Sequence, residues 1–231
     1  MTSYALRGGR DDRDIENFPE YLDDVAALMS ARGVRVPLRS GDYTLKATPA
    51  AAGEPRLWLL GSSMYSAHLA AAKGLPYVFA HHFSGNGTEE ALEVYRSRFK
   101  PSALTAQPLT FLTVNAAVAE TREEAMALML PNLQMMARLR TGQPLGPVPL
   151  VEEAAVAELT GQQQRIVESG FQRAVLGSPA EAADQIRTLA DRFGVDEVMV
   201  NPVASRSGSR RSSKPLATDS LSPLRRGKTC R

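Results

Sequence analysis

Four consecutive large apolar residues, Leu57-Trp58-Leu59-Leu60, stop at Gly61-Ser62-Ser63. Such a run reads as a strand buried on both faces. Ala-rich sequence follows, and the pattern predicts a helix over Tyr65 to Lys73, capped by Ser62 or Ser63 and ended by Gly74 in a left-handed conformation. Pro76 opens the next strand, Tyr77-Val78-Phe79-Ala80. Strand, helix and strand make one parallel unit. In such units ligands sit beyond the carboxyl ends of the strands, where the free amides of a helix N-terminus favour an anion. Gly61 to Ser66 lies at that place.

The same reading extends along the chain. Asn17-Phe18-Pro19-Glu20 starts a helix expected to run to about Ala31, with Tyr21, Leu22, Val25, Leu28 and Met29 on one face for packing on a sheet. Val34 to Arg56, punctuated by Pro37, Gly41, Pro49, Gly53 and Pro55, reads as a long loop. Beyond the second strand, Thr88 is expected to cap a helix with Glu89 and Glu90 in its positive first turn and Leu92, Tyr95 and Phe99 inward. Leu109 to Ala119 is a third strand, with Asn115 towards its carboxyl end. Thr121-Arg122-Glu123-Glu124 opens a long helix that Pro131 should kink or interrupt, and Val151 to Ser169 reads as a polar excursion or lid. Ser178-Pro179-Ala180-Glu181 is a strong helix entry with Ala182, Ile186, Leu189 and Phe193 inward, Gly194 ends it, and Glu197 to Val200 supplies a fourth strand. Alternating strands and helices predict an α/β fold, a parallel sheet or barrel.

Composition narrows this picture. A chain of 231 residues can bury one main core. Its single cysteine, Cys230, permits no disulfide framework, and no window approaches the ~18 apolar residues of a membrane span, so a cytoplasmic protein is expected. The net charge of +2 hides an asymmetry: from Ser205 onwards there are eight Lys or Arg and one acid, against 19 basic and 24 acidic residues before it. With Ser, Gly and Pro in quantity and no aromatic residue among the basic ones, the tail reads as disordered rather than nucleic-acid-binding.

Candidate chemistry is sparse. Gly61-Ser62-Ser63 offers hydroxyl and amide donors to a phosphate, or simply caps the helix; spacing fits both readings. Tyr65 and Ser66, one turn in, can reach the same anion, although Tyr65 equally suits packing. His81 and His82 follow a buried strand, but neighbours on a strand point to opposite sides, so a shared metal is not expected and pocket-lining or structural roles are. His68 reads as a surface or packing residue. No phosphate loop ending in Lys-Ser/Thr, nucleophile elbow or paired-cysteine motif occurs, and no catalytic residue is assignable from spacing.

The segment from Leu57 to Ala71, with Gly74-Leu75-Pro76 and Phe79-Ala80-His81-His82-Phe83, resembles the luciferase-like flavin-dependent monooxygenase family in its smaller bacterial branch. The similarity continues through Tyr95-Arg96, Phe99 to Ser102, Gly177-Ser178-Pro179 and Asp196 to Val200, and reaches back to Ala5-Leu6-Arg7 and Phe18-Pro19. It implies a (β/α)8 TIM-type barrel that binds reduced flavin mononucleotide (FMN), or a deazaflavin in some branches, and acts on paired donors with incorporation of molecular oxygen. By this resemblance Ser63 matches the serine at the flavin phosphate, Ser62 and Ser66 are neighbouring contacts within the turn of Gly61 and Tyr65, and His81 and His82 border the flavin pocket. A small organic substrate and a flavin reductase as electron donor are the implied partners. Only about the last four strand-helix units are expected, in residues 1–204. The first half of the barrel has no counterpart, and the tail 205–231 suggests a shifted frame or an unrelated extension. The open edges imply self-association, and the alternative function is a non-catalytic module that assembles through them.

Overall fold

The computed structural model describes residues 17–49, 53 and 55–203; the segment around Ala5 to Arg7 and the basic tail lie outside the described residues. The chain divides into two compact units, one ending at Trp58 and one beginning at Leu59.

In the first unit, α1 (Phe18–Leu28) precedes an antiparallel hairpin of β1 (Val34–Leu38) and β2 (Gly41–Leu45). The expected long loop is therefore half ribbon. Pro37 suggested a loop, but both strands of a two-stranded ribbon are edges, where a missing N–H is tolerated. Gly41, at φ 119°, supplies the conformation its end needs. The helix stops short of Ala31, and its expected stripe is only partly covered: Leu22, Leu28 and Met29 are half-buried, Tyr21 and Val25 are exposed, and the buried residue is Ala27.

The second unit is a five-stranded, wholly parallel sheet of β3 (Leu59–Gly61), β4 (Tyr77–Phe79), β5 (Thr110–Val118), β6 (Val175–Gly177) and β7 (Val198–Pro202). The intervening helices are α2 (Met64–Lys73), α3 (Thr88–Arg98), α4 (Arg122–Arg140), α5 (Val151–Ala155), α6 (Gly161–Arg173) and α7 (Pro179–Phe193). Long β5 is the hub: β4 pairs with its first three residues, β7 with its middle, and β6 with Ala116 to Val118. The sequence pattern missed β6, because three residues ahead of a helix cap read as a lead-in. Among the described residues of this unit the outer edges of β3 and β7 carry no strand partner, and the barrel is not closed.

Tyr77, Phe79, Leu92, Tyr95, Leu112 and Val114 form the buried centre. Tyr95 ties it together: its hydroxyl donates to Leu75 O (2.9 Å) and accepts from Leu109 N (3.0 Å), fastening α3 to the segments that enter β4 and β5. A second cluster joins α4, α6 and β6 through Met129, Leu133, Val167 and Leu176. Gly170 allows that approach, since a Cβ there would lie 2.5 Å from Leu133 Cδ2. Contrary to the expected interruption, α4 runs unbroken through buried Pro131, and its packed face holds the helix through the lost hydrogen bond.

Candidate functional site at the carboxyl ends of the strands

Gly61 closes β3, and its carbonyl accepts from Ala80 N (2.9 Å), which sets the end of β4 beside it. Only glycine fits: a Cβ would meet Ser66 Oγ at 2.3 Å. Ser66 is buried, and its hydroxyl donates to Ser63 O (2.7 Å). The single hydroxyl hydrogen is thereby used, so the Tyr77 hydroxyl, 3.2 Å away, donates to Ser66 Oγ. Burial raises the Tyr77 pKa, against a smaller opposing effect of the Ser66 hydrogen bond, which keeps the phenol protonated for this role. Ser66 therefore shapes the turn from inside.

Ser63 occupies the cap position of α2 in an extended conformation (φ −136°, ψ 160°), yet its side chain makes no capping hydrogen bond. The first-turn amides of α2 are left without a side-chain acceptor. Ser62, Ser63 and Tyr65 are exposed beside them. The donors are thus turned outward, towards solvent or an anion.

The two histidines that follow β4 part company. His81 is 6 % exposed and lies between α3 and α7, its Nδ1 2.8 Å from Thr88 Oγ1 and its ring edge-on to Phe193 at 5.3 Å. Thr88 is not the cap of α3, as expected; Gly87 holds that position at φ 80°. The Thr88 hydroxyl donates instead to Gly85 O (2.9 Å), so His81 Nδ1 carries a proton and donates to it. Burial first, then the charges of Arg173, Arg192 and His82, lower the His81 pKa to about 4, and the ring is neutral at neutral pH.

His82 turns to the sheet. Its Nδ1 lies 2.7 Å from Thr113 Oγ1, whose own hydrogen goes to Phe79 O (3.2 Å), so Nδ1–H is again the donor and Nε2 keeps its lone pair. Burial lowers its pKa. The His82 carbonyl accepts from Asn115 Nδ2 (2.9 Å), and Asn115 Oδ1 accepts from Asn201 Nδ2 (2.8 Å). One polar chain therefore runs across the ends of β4, β5 and β7. Thr113 and Asn201 were not expected at the site. The available signal is polar side chains inside otherwise apolar strands, Thr113 and Asn115 in β5 and Asn201 in β7.

The uncapped turn suits an anion, and the chain from His82 to Asn201 is a separate set of fixed polar groups at the strand ends. Among the described residues there is no cluster of three or more His, Cys, Asp or Glu able to hold a metal, and no helix long and apolar enough to cross a membrane.

Comparison with known proteins gives the family. The family model for luciferase-like monooxygenases matches residues 2–197. A luciferase-like monooxygenase of Escherichia coli K12 is 32 % identical over 206 residues, 89 % of this chain and 59 % of that protein. The Bacillus subtilis protein YceB is 36 % identical over 189 residues, 81 % of this chain and 56 % of that one. Among solved structures, apo-MsnO8 superposes with a TM-score of 0.65 at 26 % identity, covering 89 % of this chain and 60 % of its own. The chain thus spans somewhat less than two thirds of the length of the relatives it matches. Its motifs, its parallel sheet and these matches place the chain in the luciferase-like monooxygenase family.

Proposed function

We propose that the chain is a flavin-dependent oxidoreductase of the monooxygenase type, with the phosphate of reduced FMN at the turn from Gly61 to Ser66. The observation that carries this reading is the uncapped N-terminus of α2, flanked by the exposed hydroxyls of Ser62 and Ser63. An N-terminal helix dipole with free amides stabilises an anion by about 0.3–1 kcal/mol at an exposed site, before the hydrogen bonds themselves are counted. Structures of the same fold support a flavin-type ligand: a diketocamphane monooxygenase component is described in complex with FMN, and a secondary alcohol dehydrogenase with an F420 adduct. FMN is favoured over the deazaflavin on the resemblance of the Gly61 to Ser66 turn.

When bound, reduced flavin supplies the electrons with which dioxygen oxygenates a small organic substrate. The chain's own residues bind and orient. Gly61 and Ser66 hold the turn, Ser62 and Ser63 would add donors to the amides of Met64 and Tyr65, and the exposed Tyr65 would stand beside the phosphate. His82, fixed by Thr113 in the Nδ1–H form, would offer Nε2 to a bound flavin or substrate as a proton acceptor, while Asn115 holds its carbonyl and Asn201 holds Asn115. His81 supports the loop from the helix side. A flavin reductase in the cytoplasm is the electron donor this reading requires. Titration of the purified protein with FMN tests it: saturable quenching of flavin fluorescence is expected, and no change up to millimolar FMN removes the cofactor.

A second reading rests on the unpaired outer edges of β3 and β7. Leu60 and Met199, one on each of those strands, are exposed apolar side chains. A chain with such edges can act as a non-catalytic module that assembles with another copy.

A further inference from the structure

A second cleft lies in the helix layer, apart from the turn at Gly61. It has a volume of about 740 Å³ and is lined by the loop from His81 to Thr88, the end of α6 and one face of α7. Three features converge there. His81 lines it, nine-tenths buried, with Nδ1 committed to Thr88 and Nε2 without a hydrogen-bond partner among the described residues. Arg173 is half-buried, its side chain packed so closely over Gly85 that a Cβ there would lie 1.8 Å from Arg173 Cδ. The influences on its guanidinium are burial and the charge of Arg140, both unfavourable to a cation. Finally, α3 begins in the cleft wall at Gly87 with no side-chain cap. The acids of the wall stand at the rim: Glu89 pairs with Arg192 (3.3 Å) and Asp184 with Arg187 (2.6 Å), in exposed pairs, and Glu90 is exposed. Arg173 is the half-buried cation of this wall, and the charge it exerts on His81 shows the two to be neighbours.

We infer that this cleft binds inorganic phosphate, with Arg173 and the first-turn amides of α3 donating to its oxygens and its remaining P–OH donating to His81 Nε2. The lone pair makes the choice of anion specific. Phosphate retains a hydroxyl at neutral pH and sulfate does not, so sulfate would set an oxygen against an unprotonated nitrogen. His81 is kept unprotonated first by its burial and then by the charges of Arg173, Arg192 and His82. Arg173 contributes charge-assisted hydrogen bonds from a stem already held by Gly85 and by its bond to Ser169.

The chain has three histidines, so imidazole NMR reads the site directly in the full-length protein. Phosphate and sulfate are titrated separately at constant ionic strength, with the exposed His68 as reference. The His81 signals should move saturably with phosphate and respond to sulfate about tenfold more weakly or less, the cost of one unmade hydrogen bond in a buried site. Arg173→Gln should weaken phosphate about tenfold. Gly87→Asp adds a carboxylate into open space at the α3 cap, at some cost in backbone strain because φ there is 80°; it should weaken phosphate comparably, and a thermal melt separates that strain from lost binding. A phosphate response at the α2 turn would survive both substitutions. Silence of His81, equal response to sulfate, or phosphate binding indifferent to Gly87→Asp would overturn the inference.

Discussion

Ser63 has the backbone of a helix cap and not its hydrogen bond, and that mismatch separates stability from binding at a single position. An aspartate there would accept from the first-turn amides and place a negative charge where the anion should sit. Ser63→Asp should therefore raise stability by about 1 kcal/mol and weaken FMN by more than tenfold. Thermal melts and flavin titration of the same variant check both signs. A variant stabilised with FMN affinity intact would mean that the phosphate lies elsewhere. Spacing made the turn visible but could not separate a cap from an anion site, because both need Ser after Gly; the distinction lies in a χ1 angle. Ser66 shows the same limit. Its position suits a ligand contact, yet its hydroxyl is used between Ser63 and Tyr77, a partner eleven residues away. Likewise Thr88 looked like a cap because hydroxyl residues favour that position, whereas Gly87 takes it and frees the hydroxyl for His81.

At the scale of elements, punctuation was legible and short pairings were not. Gly74 and Gly194 end α2 and α7 in the left-handed conformation their positions suggested, and Ser178 with Glu181 forms the expected capping box. The hairpin of β1 and β2 was hidden by Pro37 and Gly41, and β6 by its length of three residues. One interaction across the sequence fixes how the helices pack. Arg96 on α3 donates to Phe193 O and Gly194 O, both at 2.8 Å, and so satisfies the carbonyl end of α7 ninety-seven residues later. The cation also faces the negative end of that helix dipole. Arg96→Met keeps the packing stem and removes the donors, so it should cost about 1–2 kcal/mol and speed amide exchange in the last turn of α7. Denaturant unfolding with hydrogen exchange measures this. Unchanged exchange at Ala190 to Phe193 would show that the carbonyls do not depend on Arg96.

For the whole molecule, the family and the α/β barrel class were legible because the apolar run Leu57 to Leu60 and its turn carry a specific pattern, although the strand expected there is only Leu59–Gly61 and Leu60 is exposed rather than buried on both faces. The layout of the site was less so, because Thr113, Asn115 and Asn201 become neighbours only through the register of β4, β5 and β7. With the edges of β3 and β7 unpaired, self-association is the physical expectation. Sedimentation velocity over a concentration series should show a concentration-dependent oligomer, and a strict monomer throughout would exclude the assembly reading. The central claim is that the Gly61 to Ser66 turn binds the phosphate of a flavin. Comparing FMN with riboflavin tests it most directly, because the two share the ring and differ in the phosphate. FMN should bind about tenfold more tightly or better, the worth of one set of charge-assisted hydrogen bonds. Equal affinities for the two flavins would contradict it.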